Sequence, residues 1–469
     1  MLLKLLSPKL QEFDVKQIIS AIRACFNLQV SLLSYDKYLT KKHGMGLPPQ
    51  PERTLIYVEK LESMIKAPVE LFNVVDQVLS LMPLNMLEEV RESLNVEILF
   101  SWAEKVDRAR KRIESLSVSD VRSEDSKKRS VLMIIPSEKQ LSVARKNRRE
   151  WMWSLKTVYG EPAPEYRGWL NELLGIGEVL KSEGVNVAYA CSEESREDLI
   201  EVCGKKFKCV IIDMPPDKAK IGYARDQSIV WFNDTPIICN MALNQRMGEE
   251  NVLNEIYYKL NITPVLRPRW FNFGEYLEKA VIEGGNFIMV RGENAPALFT
   301  GIGVRGTNEA AIRIISKILP QEVEIYGIPL SGYIKNWKET GTVHLDVALL
   351  YGGVINGYNV VFVDPGRIGF YSVIKYNRET ETFTYTLLGD VARELGLTLD
   401  EPPRNGASRI TMTNALNLGG GKLVVDPYNK TVNDYLEKEW GFDLIKVPIP
   451  QIEAGGGGIR CVTREFSFP

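Results

Sequence analysis

Beyond residue 130 the chain alternates short apolar segments, rich in β-branched residues, with segments of helical periodicity. The short segments are VLMIIP at 131–136, VNVAYA at 185–190, CVIIDMP at 209–215, SIVWF at 228–232, VEIYGIPL at 323–330 and LVVDP at 423–427. Apolar residues recur at helical spacing in NEAAIRIISKIL at 308–319. Strands that alternate with helices predict an α/β unit. Within it, Asn356-Gly357 between two apolar runs predicts an antiparallel hairpin.

Residues 1–115 have a different pattern. Apolar residues recur at helical spacing in VKQIISAIRACFNL, in LIYVEKLESMI and in LFNVVDQVLSLMPLNMLEEVRESL. The stretch SLSVSDVRSEDSKKRS that follows is polar and charged, which is typical of a linker. We therefore predict an all-α domain at 1–115, a linker at 116–130 and an α/β catalytic domain at 131–469. The helical stretches carry no set of acid and base residues, so we expect this domain to form subunit contacts in a homo-oligomer or to cover the site.

Composition limits the partners of the chain. The 469 residues carry a net charge of -2, and nucleic-acid binders usually show a basic surplus, so nucleic acid is not an expected partner. No uncharged apolar run approaches the length of a membrane span, and the N-terminal apolar stretch is too short for a signal peptide. We expect a cytoplasmic protein with no membrane partner.

Cysteine and histidine usage narrows the possible chemistry. The six cysteines contain no C-x-x-C pair, which predicts neither a zinc site nor a disulfide framework. No metal and no cofactor are expected. The chain has two histidines, and His43 lies in a loop rich in Lys, Gly and Pro without an acidic neighbour. A reaction that needs an imidazole would therefore use His344.

Four segments place polar residues where predicted strands begin or end. They are Tyr223-Ala224-Arg225-Asp226-Gln227, Glu283-Gly284-Gly285-Asn286, His344-Leu345-Asp346, and the glycine run Gly455 to Gly458 that precedes Cys461. A spacing of two on a strand puts His344 and Asp346 on one face. A cysteine after four glycines can be approached by a substrate, although a Gly-rich turn with an incidental cysteine has the same pattern. A strand-edge His-x-Asp pair is also common as a structural hydrogen bond.

The order of these motifs resembles that of the guanidino-group-modifying enzymes of the pentein superfamily, the arginine deiminases and amidinotransferases. In those enzymes R-D, E-G-G-D, H-L-D and G-G-G-x-x-C-x-T elements occur in this order. The resemblance covers about residues 130–469 and extends through FTGIGVRGTN at 299–308 and TNALNLGGGKLVVDP at 413–427. It implies an α/β propeller of pseudo-symmetric ββαβ-like modules with the site in the central channel. Internal repeats that would reveal a propeller are not visible in the sequence.

The resemblance also implies roles for named residues. Cys461 would be the nucleophile, and His344 would transfer protons while Glu283 holds its imidazolium. Asp226 and Asp346 would clamp the guanidinium of the substrate. Further substrate-binding residues would be Arg246, Arg305 and Asn286. A guanidinium is a planar cation with a poorly electrophilic carbon, so an enzyme needs carboxylates to bind it and a strong nucleophile to attack it.

The sequence departs from the family pattern in three places. Asn286 stands where the E-G-G-D element ends in Asp, which removes a negative charge. The glycines before Cys461 include no arginine, and Arg460 follows them instead. The segment Arg305-Gly306-Thr307-Asn308 is one residue longer than the family's R-T-N. Arg246 also has the alternative interpretation of an exposed helix residue.

We favour hydrolysis of arginine, or of a related guanidino compound, to a ureido product and ammonia. Transfer of the amidino group to an amine remains an alternative, because both reactions share the covalent Cys461 intermediate. A non-catalytic pentein protein, such as a ribosome-binding factor, is the alternative of another class. The joint presence of the five catalytic candidates favours an enzyme.

Overall fold

The computed structural model describes the chain in segments separated by short gaps. These segments are residues 5–28, 55–128, 130–148, 153–203, 208–232, 235–242, 245–303, 307–330, 344–368, 372–403 and 413–466. His43 and Arg305 lie outside the described residues, so the interpretations of both remain predictions.

The N-terminal part is mostly helical, as its periodicity predicts. Its helices are Leu6–Leu10, 15–28, Val58–Ile65, Val69–Ser80, Leu84–Ser93 and Val96–Glu114. The last helix begins after Asn95, whose side chain accepts hydrogen bonds from the backbone N–H groups of Glu97 and Ile98. One strand, Leu55–Tyr57, pairs antiparallel with Tyr276–Lys279 of the α/β part. The region predicted as all-α therefore contains a strand, because pairing with a distant strand overrides the helical spacing of LIYVEKL.

The rest of the chain alternates strands and helices. The strands are Ser130–Ile135, Asn186–Cys191, Val210–Ile211, Ser228–Ile229, Ile237–Ile238, Trp270–Phe273, Tyr276–Lys279, Phe287–Arg291, Pro296–Ile302, Glu324–Pro329, Leu349–Ile355, Tyr358–Val363, Ser372–Asn377, Thr382–Leu387, Thr398–Asp400, Leu416–Gly419, Lys422–Val425, Asp443–Lys446 and Arg464–Phe466. The helices are Glu138–Lys146, Tyr166–Ser182, Glu193–Cys203, Glu249–Lys259, Glu309–Ser316, Leu388–Glu394, Lys430–Lys438 and Pro450–Ala454. Each of the six predicted strand segments contains a strand, and the helix predicted at 308–319 is present. None of the helices in the described segments is both long and apolar enough to cross a membrane.

One pairing pattern recurs in five of the six sheets that the described residues form. A central strand pairs antiparallel with one neighbour and parallel with the other, and at least one helix lies in the chain between the central strand and its parallel partner. The central strands are Ser130–Ile135, Ile237–Ile238, Pro296–Ile302, Tyr358–Val363 and Lys422–Val425. The repeat is not visible in the sequence, because different residues form the same ββαβ connection in each sheet.

Two local details follow the sequence closely. Asn356 and Gly357 have φ angles of 51° and 84°, and a two-residue hairpin turn requires positive φ at both positions. The strands on either side, Leu349–Ile355 and Tyr358–Val363, pair antiparallel as predicted.

The C-terminal strand brings the end of the chain back to the beginning of the α/β part. Arg464–Phe466 pairs antiparallel with Ser130–Ile135, in the position that a hairpin partner occupies in the other repeated sheets. Cys461 lies three residues before this strand. The loop that carries the predicted nucleophile is thus anchored to the first sheet of the α/β part.

The helical region and the α/β part share a hydrophobic core. Leu71, Phe72 and Val75 belong to the same buried cluster as Leu132 and Ile134 of the first α/β strand. An ion pair of 2.9 Å joins the buried Asp76 to Arg269. Burial of apolar surface across both regions stabilises them together. The boundary near residue 115 remains a prediction, and it does not separate two cores.

The predicted linker packs on the α/β part. The backbone N–H of Arg122 donates to the carbonyl of Trp231 at 3.0 Å, and that of Glu124 donates to the carbonyl of Met289 at 2.8 Å. Val121 is buried. Residues 116–128 are therefore held against the strands beside the Cys461 loop, despite their polar composition.

Cys191 and Cys209 form a disulfide, so the prediction of unpaired cysteines is wrong for this pair. Cys191 ends its strand and is paired in register with Ile211, which places Cys209 close by, just before the neighbouring parallel strand. The spacing of 18 residues carries no signal, because the contact depends on which strands become neighbours. Cys25, Cys239 and Cys461 are buried free thiols.

Candidate active site

The glycines before Cys461 allow close packing. A Cβ atom at Gly458 would lie 2.6 Å from Oδ1 of Asn414, and one at Gly457 would overlap the ring of Tyr223. Cys461 itself is buried. The expectation that the glycines keep the backbone open to a substrate is therefore incomplete, since they let the loop approach Tyr223 and Asn414.

Asn414 bonds Cys461, the predicted nucleophile, through both ends of its amide. Its Nδ2 donates to the sulfur of Cys461 at 3.2 Å, and its Oδ1 accepts from the backbone N–H of Cys461 at 3.2 Å. The sulfur also lies 3.8 Å from Oδ2 of Asp346. Sequence reasoning did not assign a role to Asn414, although it lies in the TNALNLGGG segment that carries the family resemblance.

His344 lies between two carboxylates. Its Nε2 is 2.5 Å from Oε2 of Glu283, and its Nδ1 is 3.3 Å from Oδ1 of Asp226. Glu283 is fixed in turn by the backbone N–H of Ala242, which donates to Oε1 at 2.8 Å. A Cβ atom at Gly285 would lie 2.8 Å from Nδ1 of His344, so this position admits only glycine without displacing the imidazole.

The His344-Leu345-Asp346 segment is not part of a strand, so that prediction is wrong. Leu345–Val347 forms a 3₁₀ turn, and the strand begins at Leu349. The turn is held by Asn286, whose Oδ1 accepts from the backbone N–H of Leu345 at 3.1 Å. His344 has extended backbone before the turn, and both it and Asp346 still enter the site.

Each carboxylate of the predicted clamp has its Oδ2 bonded to an arginine, and Oδ1 of Asp226 also lies 3.3 Å from Nδ1 of His344. Asp226 Oδ2 accepts from Arg246 at 2.6 Å, and Asp346 Oδ2 accepts from Arg460 at 2.7 Å. Oδ1 of both aspartates is buried and accepts no hydrogen bond from the described residues. Buried polar atoms are normally satisfied, so two such oxygens mark a place for a donor-rich cation.

Arg460 links the clamp to the predicted linker. Its Nη2 donates to Oε1 of Glu124 at 2.8 Å and to the carbonyl of Phe287 at 2.9 Å. All of Arg460 is buried, and these acceptors hold the guanidinium whose Nη1 bonds Asp346. Sequence reasoning missed Glu124, because a glutamate in a charged stretch carries no distinguishing pattern.

Arg246 is not the exposed helix residue of the alternative interpretation. It is buried, and it bridges Asp226 and Glu249, whose Oε2 accepts from Nη2 at 2.7 Å. Arg246 therefore lies beside Asp226 of the predicted clamp. A role in binding a substrate remains a prediction for Arg246 and for Asn286, whose buried Nδ2 has no hydrogen-bond acceptor within the described residues.

The surrounding charges set the protonation states. Burial raises the pKa of the Cys461 thiol well above its ordinary value, and the charges of Asp346 and Asp226 raise it further. Burial opposes the charged form of His344, but Asp226 and Glu283 outweigh it and raise its pKa to about 9. At neutral pH the site therefore holds Cys461 as a neutral thiol and His344 as an imidazolium.

Lys220 is a third residue near the site that sequence reasoning missed. Its buried ammonium lies 5.7 Å from the ring centroid of Tyr223 and makes no hydrogen bond to the described residues. Burial, with help from the charge of Arg246, lowers its pKa to about 8, while Asp226, Glu249 and Cys461 act in the opposite direction. A buried lysine without a polar partner suits an anionic group of a ligand.

Several solved structures resemble this chain at low sequence identity. No protein-family model and no curated protein matches the chain. Among solved structures, dimethylarginine dimethylaminohydrolase from Pseudomonas aeruginosa, solved with citrulline, is 12% identical, with a TM-score of 0.45, over 72% of this chain and all of the other. The N-terminal domain of the cyanobacterial arginine dihydrolase ArgZ is 13% identical, with a TM-score of 0.47, over 72% and 98%. The amidinotransferase SxtG from Microseira wollei is 15% identical, with a TM-score of 0.45, over 74% and 96%.

All three structures are under 25% identical to this chain and have TM-scores below 0.5, so the comparison carries no argument about its function. At these identities the substrate and reaction of a neighbour do not carry over to this chain, and we base the functional proposal on the geometry of its own site.

Proposed function

We propose that this protein is a cysteine-dependent enzyme that cleaves a C–N bond of a guanidinium group, and that it hydrolyses arginine to citrulline and ammonia. The observation that carries the proposal is the pair of buried aspartates, Asp226 beside His344 and Asp346 beside Cys461. Oδ1 of Asp346 accepts no hydrogen bond from the described residues, and Oδ1 of Asp226 has only its 3.3 Å ion pair with Nδ1 of His344. A guanidinium offers several N–H donors in one plane, and carboxylates on two sides match that geometry.

Binding of the cation would activate the nucleophile. In the unliganded site burial and two carboxylates raise the pKa of Cys461, so the thiol is neutral. A guanidinium held by Asp226 and Asp346 offsets both negative charges and stabilises the thiolate, and the thiol proton passes to water. Without substrate, Cys461 thus remains a neutral thiol of low nucleophilicity.

The first half-reaction forms a covalent adduct. The Cys461 thiolate attacks the guanidinium carbon to form a C–S bond, and the C–N bond to the leaving group breaks. The imidazolium of His344 gives its proton to the departing nitrogen, which leaves as ammonia. Glu283 and Asp226 hold the ring in position and favour its protonated form.

The second half-reaction releases the product. Neutral His344 takes a proton from water, the oxygen attacks the amidino carbon, and the C–S bond breaks to return the thiolate. If an amine attacked the amidino carbon in place of water, the enzyme would be an amidinotransferase, which is the alternative function. We further propose that the repeated ββαβ units surround this site as the blades of a propeller, which the recurring pairing pattern supports.

We assign the carboxylate of the substrate to Lys220. Arg246 and Arg460 each already bind two carboxylates of the protein, whereas the Lys220 ammonium has no such partner among the described residues. A Lys220→Met variant should raise KM for arginine and leave KM for agmatine, the decarboxylated analogue, unchanged. Equal effects on both compounds would remove Lys220 from carboxylate recognition.

The decisive experiment incubates the purified chain with arginine and measures citrulline, ammonia and ornithine, with and without an acceptor amine such as glycine. Citrulline and ammonia in equal amounts support hydrolysis. Ornithine that appears only with the acceptor supports amidino transfer. Failure to consume arginine, agmatine or methylated arginines would contradict a guanidino-modifying function.

A further inference from the structure

A second buried group of charges lies beside the Cys461 loop. Glu465 forms ion pairs with Arg225 at 2.5 Å, with Lys128 at 3.4 Å and with Arg464 at 4.0 Å. All three cations are more than nine-tenths buried. One carboxylate therefore faces three positive charges, which leaves the group strongly cationic.

Of the other described carboxylates, that of Glu124 lines the same cavity and offsets part of the excess. This carboxylate is also bound by Arg460. Two further cations, Arg122 and the exposed Lys127, contribute to the wall of the same cavity. Burial and the charge of Arg225 lower the pKa of Arg464 to about 10, as expected where several cations lie close together.

Two donors in this group have no acceptor. Nη2 of Arg225 and Nε of Arg464 are buried and form no hydrogen bond with the described residues. Both residues line a cavity of about 40 Å³, together with Lys128 and Glu465. A water molecule needs roughly 10–15 Å³, so the cavity has room for a small inorganic ion.

We propose that this cavity is a binding site for a small monovalent inorganic anion of the size of chloride. The anion would accept from Arg225 and Arg464 and would lower the repulsion among the three cations around Glu465. The negative charge of Glu465 and the small volume both disfavour a doubly charged tetrahedral oxyanion such as sulfate.

The site is bonded directly to the loop that carries the nucleophile. The backbone N–H of Arg225 donates to the carbonyl of Cys461 at 3.0 Å, and its Nε donates to the carbonyl of Arg460 at 3.2 Å. Arg464 donates to the carbonyl of Arg225. An anion that fixes these two guanidinium groups therefore also fixes the backbone of Arg460 and Cys461, and it would raise activity. This last effect rests on the proposed function, whereas anion binding does not.

Thermal unfolding of the full chain tests the binding. We expect Tm to rise by a few degrees and to saturate with sodium chloride or bromide, relative to sodium gluconate at the same ionic strength. Crystals soaked in bromide should give an anomalous peak between Arg225 and Arg464. Identical Tm values in chloride and gluconate would overturn the site, and saturable stabilisation by sulfate in place of chloride would overturn its size.

Variants separate this site from general salt effects. Lys128→Met and Arg464→Lys should each abolish the difference between chloride and gluconate, while Lys139→Met, at an exposed ion pair, should keep it. If Arg464→Lys does not fold, Lys128→Met still decides, because a retained chloride effect in that variant contradicts the proposal.

The same salts in the arginine assay test the coupling. We expect activity to rise with chloride at constant ionic strength along the same curve as Tm. If Tm depends on chloride but a measurable rate does not, the coupling is contradicted and the anion site is still supported. A chloride-dependent Tm with no turnover in any salt would instead contradict the proposed function.

Discussion

Arg460, the residue immediately before Cys461, donates a 2.7 Å hydrogen bond to Asp346. This bond occupies one oxygen of Asp346 and leaves its other oxygen without a partner among the described residues. A similar arrangement occurs at Asp226, where Arg246 binds Oδ2 and Oδ1 lies 3.3 Å from Nδ1 of His344. Two internal guanidinium groups thus orient the two carboxylates that we propose to bind the guanidinium of a substrate.

Replacement of Cys461 tests the covalent mechanism. Cys461→Ser should lower kcat by at least about 10³-fold, because a serine hydroxyl is far less ionised than a thiol. Arginine should still bind, which calorimetry can measure. Cys25→Ala, at another buried free thiol, should change Tm and leave kcat unaffected. Substantial turnover by Cys461→Ser would contradict a thiolate nucleophile.

The pH profile tests the role of His344. The imidazolium is the proposed acid and its pKa is raised to about 9, so kcat/KM should fall as pH rises through that value. Glu283→Gln removes a negative charge beside the ring, which lowers this pKa and should move the alkaline limb to lower pH. We expect a loss of about 10- to 100-fold in kcat/KM at neutral pH. Glu275→Gln, at an exposed position, is the control, and an unmoved limb in Glu283→Gln would exclude Glu283 from the site.

Glu124 should affect activity although it lies in the predicted linker. Glu124→Gln removes a charged partner from buried Arg460, which loosens the hold of Arg460 on Asp346. We expect kcat/KM to fall about tenfold, which corresponds to about 1.4 kcal/mol. Asp125→Asn, which alters the neighbouring carboxylate paired with Arg291, should leave kcat/KM unchanged. Equal behaviour of the two variants would mean that Glu124 has no positioning role.

Gly285 should tolerate no side chain. The Cβ of Gly285→Ala would lie 2.8 Å from Nδ1 of His344 and 2.9 Å from Oδ1 of Asp226, so one of these groups must move. A displacement of this kind should lower kcat by about 100-fold. Gly389→Ala has no atom within 4 Å of the added Cβ and should retain full activity. Wild-type kinetics for Gly285→Ala would show that the imidazole is not positioned as described.

Removal of residues 1–115 tests the helical region. The shared core around Leu71 and Leu132 would be exposed, so we expect the shortened chain to unfold at a markedly lower Tm or to aggregate. Size-exclusion chromatography of the full chain, beside the shortened one, also tests the predicted homo-oligomer. A shortened chain with unchanged Tm and full activity would contradict the contribution of the shared core.

Local patterns determined much of the secondary structure. Alternating β-branched segments and helical periodicity predicted the strands at 131–136 and 323–330 and the helix at 308–319, because these elements depend on residues a few positions apart. The turn at Asn356-Gly357 is likewise determined by which residues accept positive φ. The four polar motifs identified candidate residues, since each carries its reactive groups within a short segment.

Only the tertiary structure decided how these pieces meet. Glu124 and Arg460 are 336 residues apart, and Cys191 meets Cys209 because two strands become neighbours in a sheet. The turn at His344-Leu345-Asp346 depends on Asn286, 59 residues away, which bonds Leu345. Contacts of this kind arise from packing and strand order, which no short window of residues encodes. The sequence by itself therefore indicated candidate residues for the chemistry, and the fold determined which atoms of those residues are bonded to other protein groups.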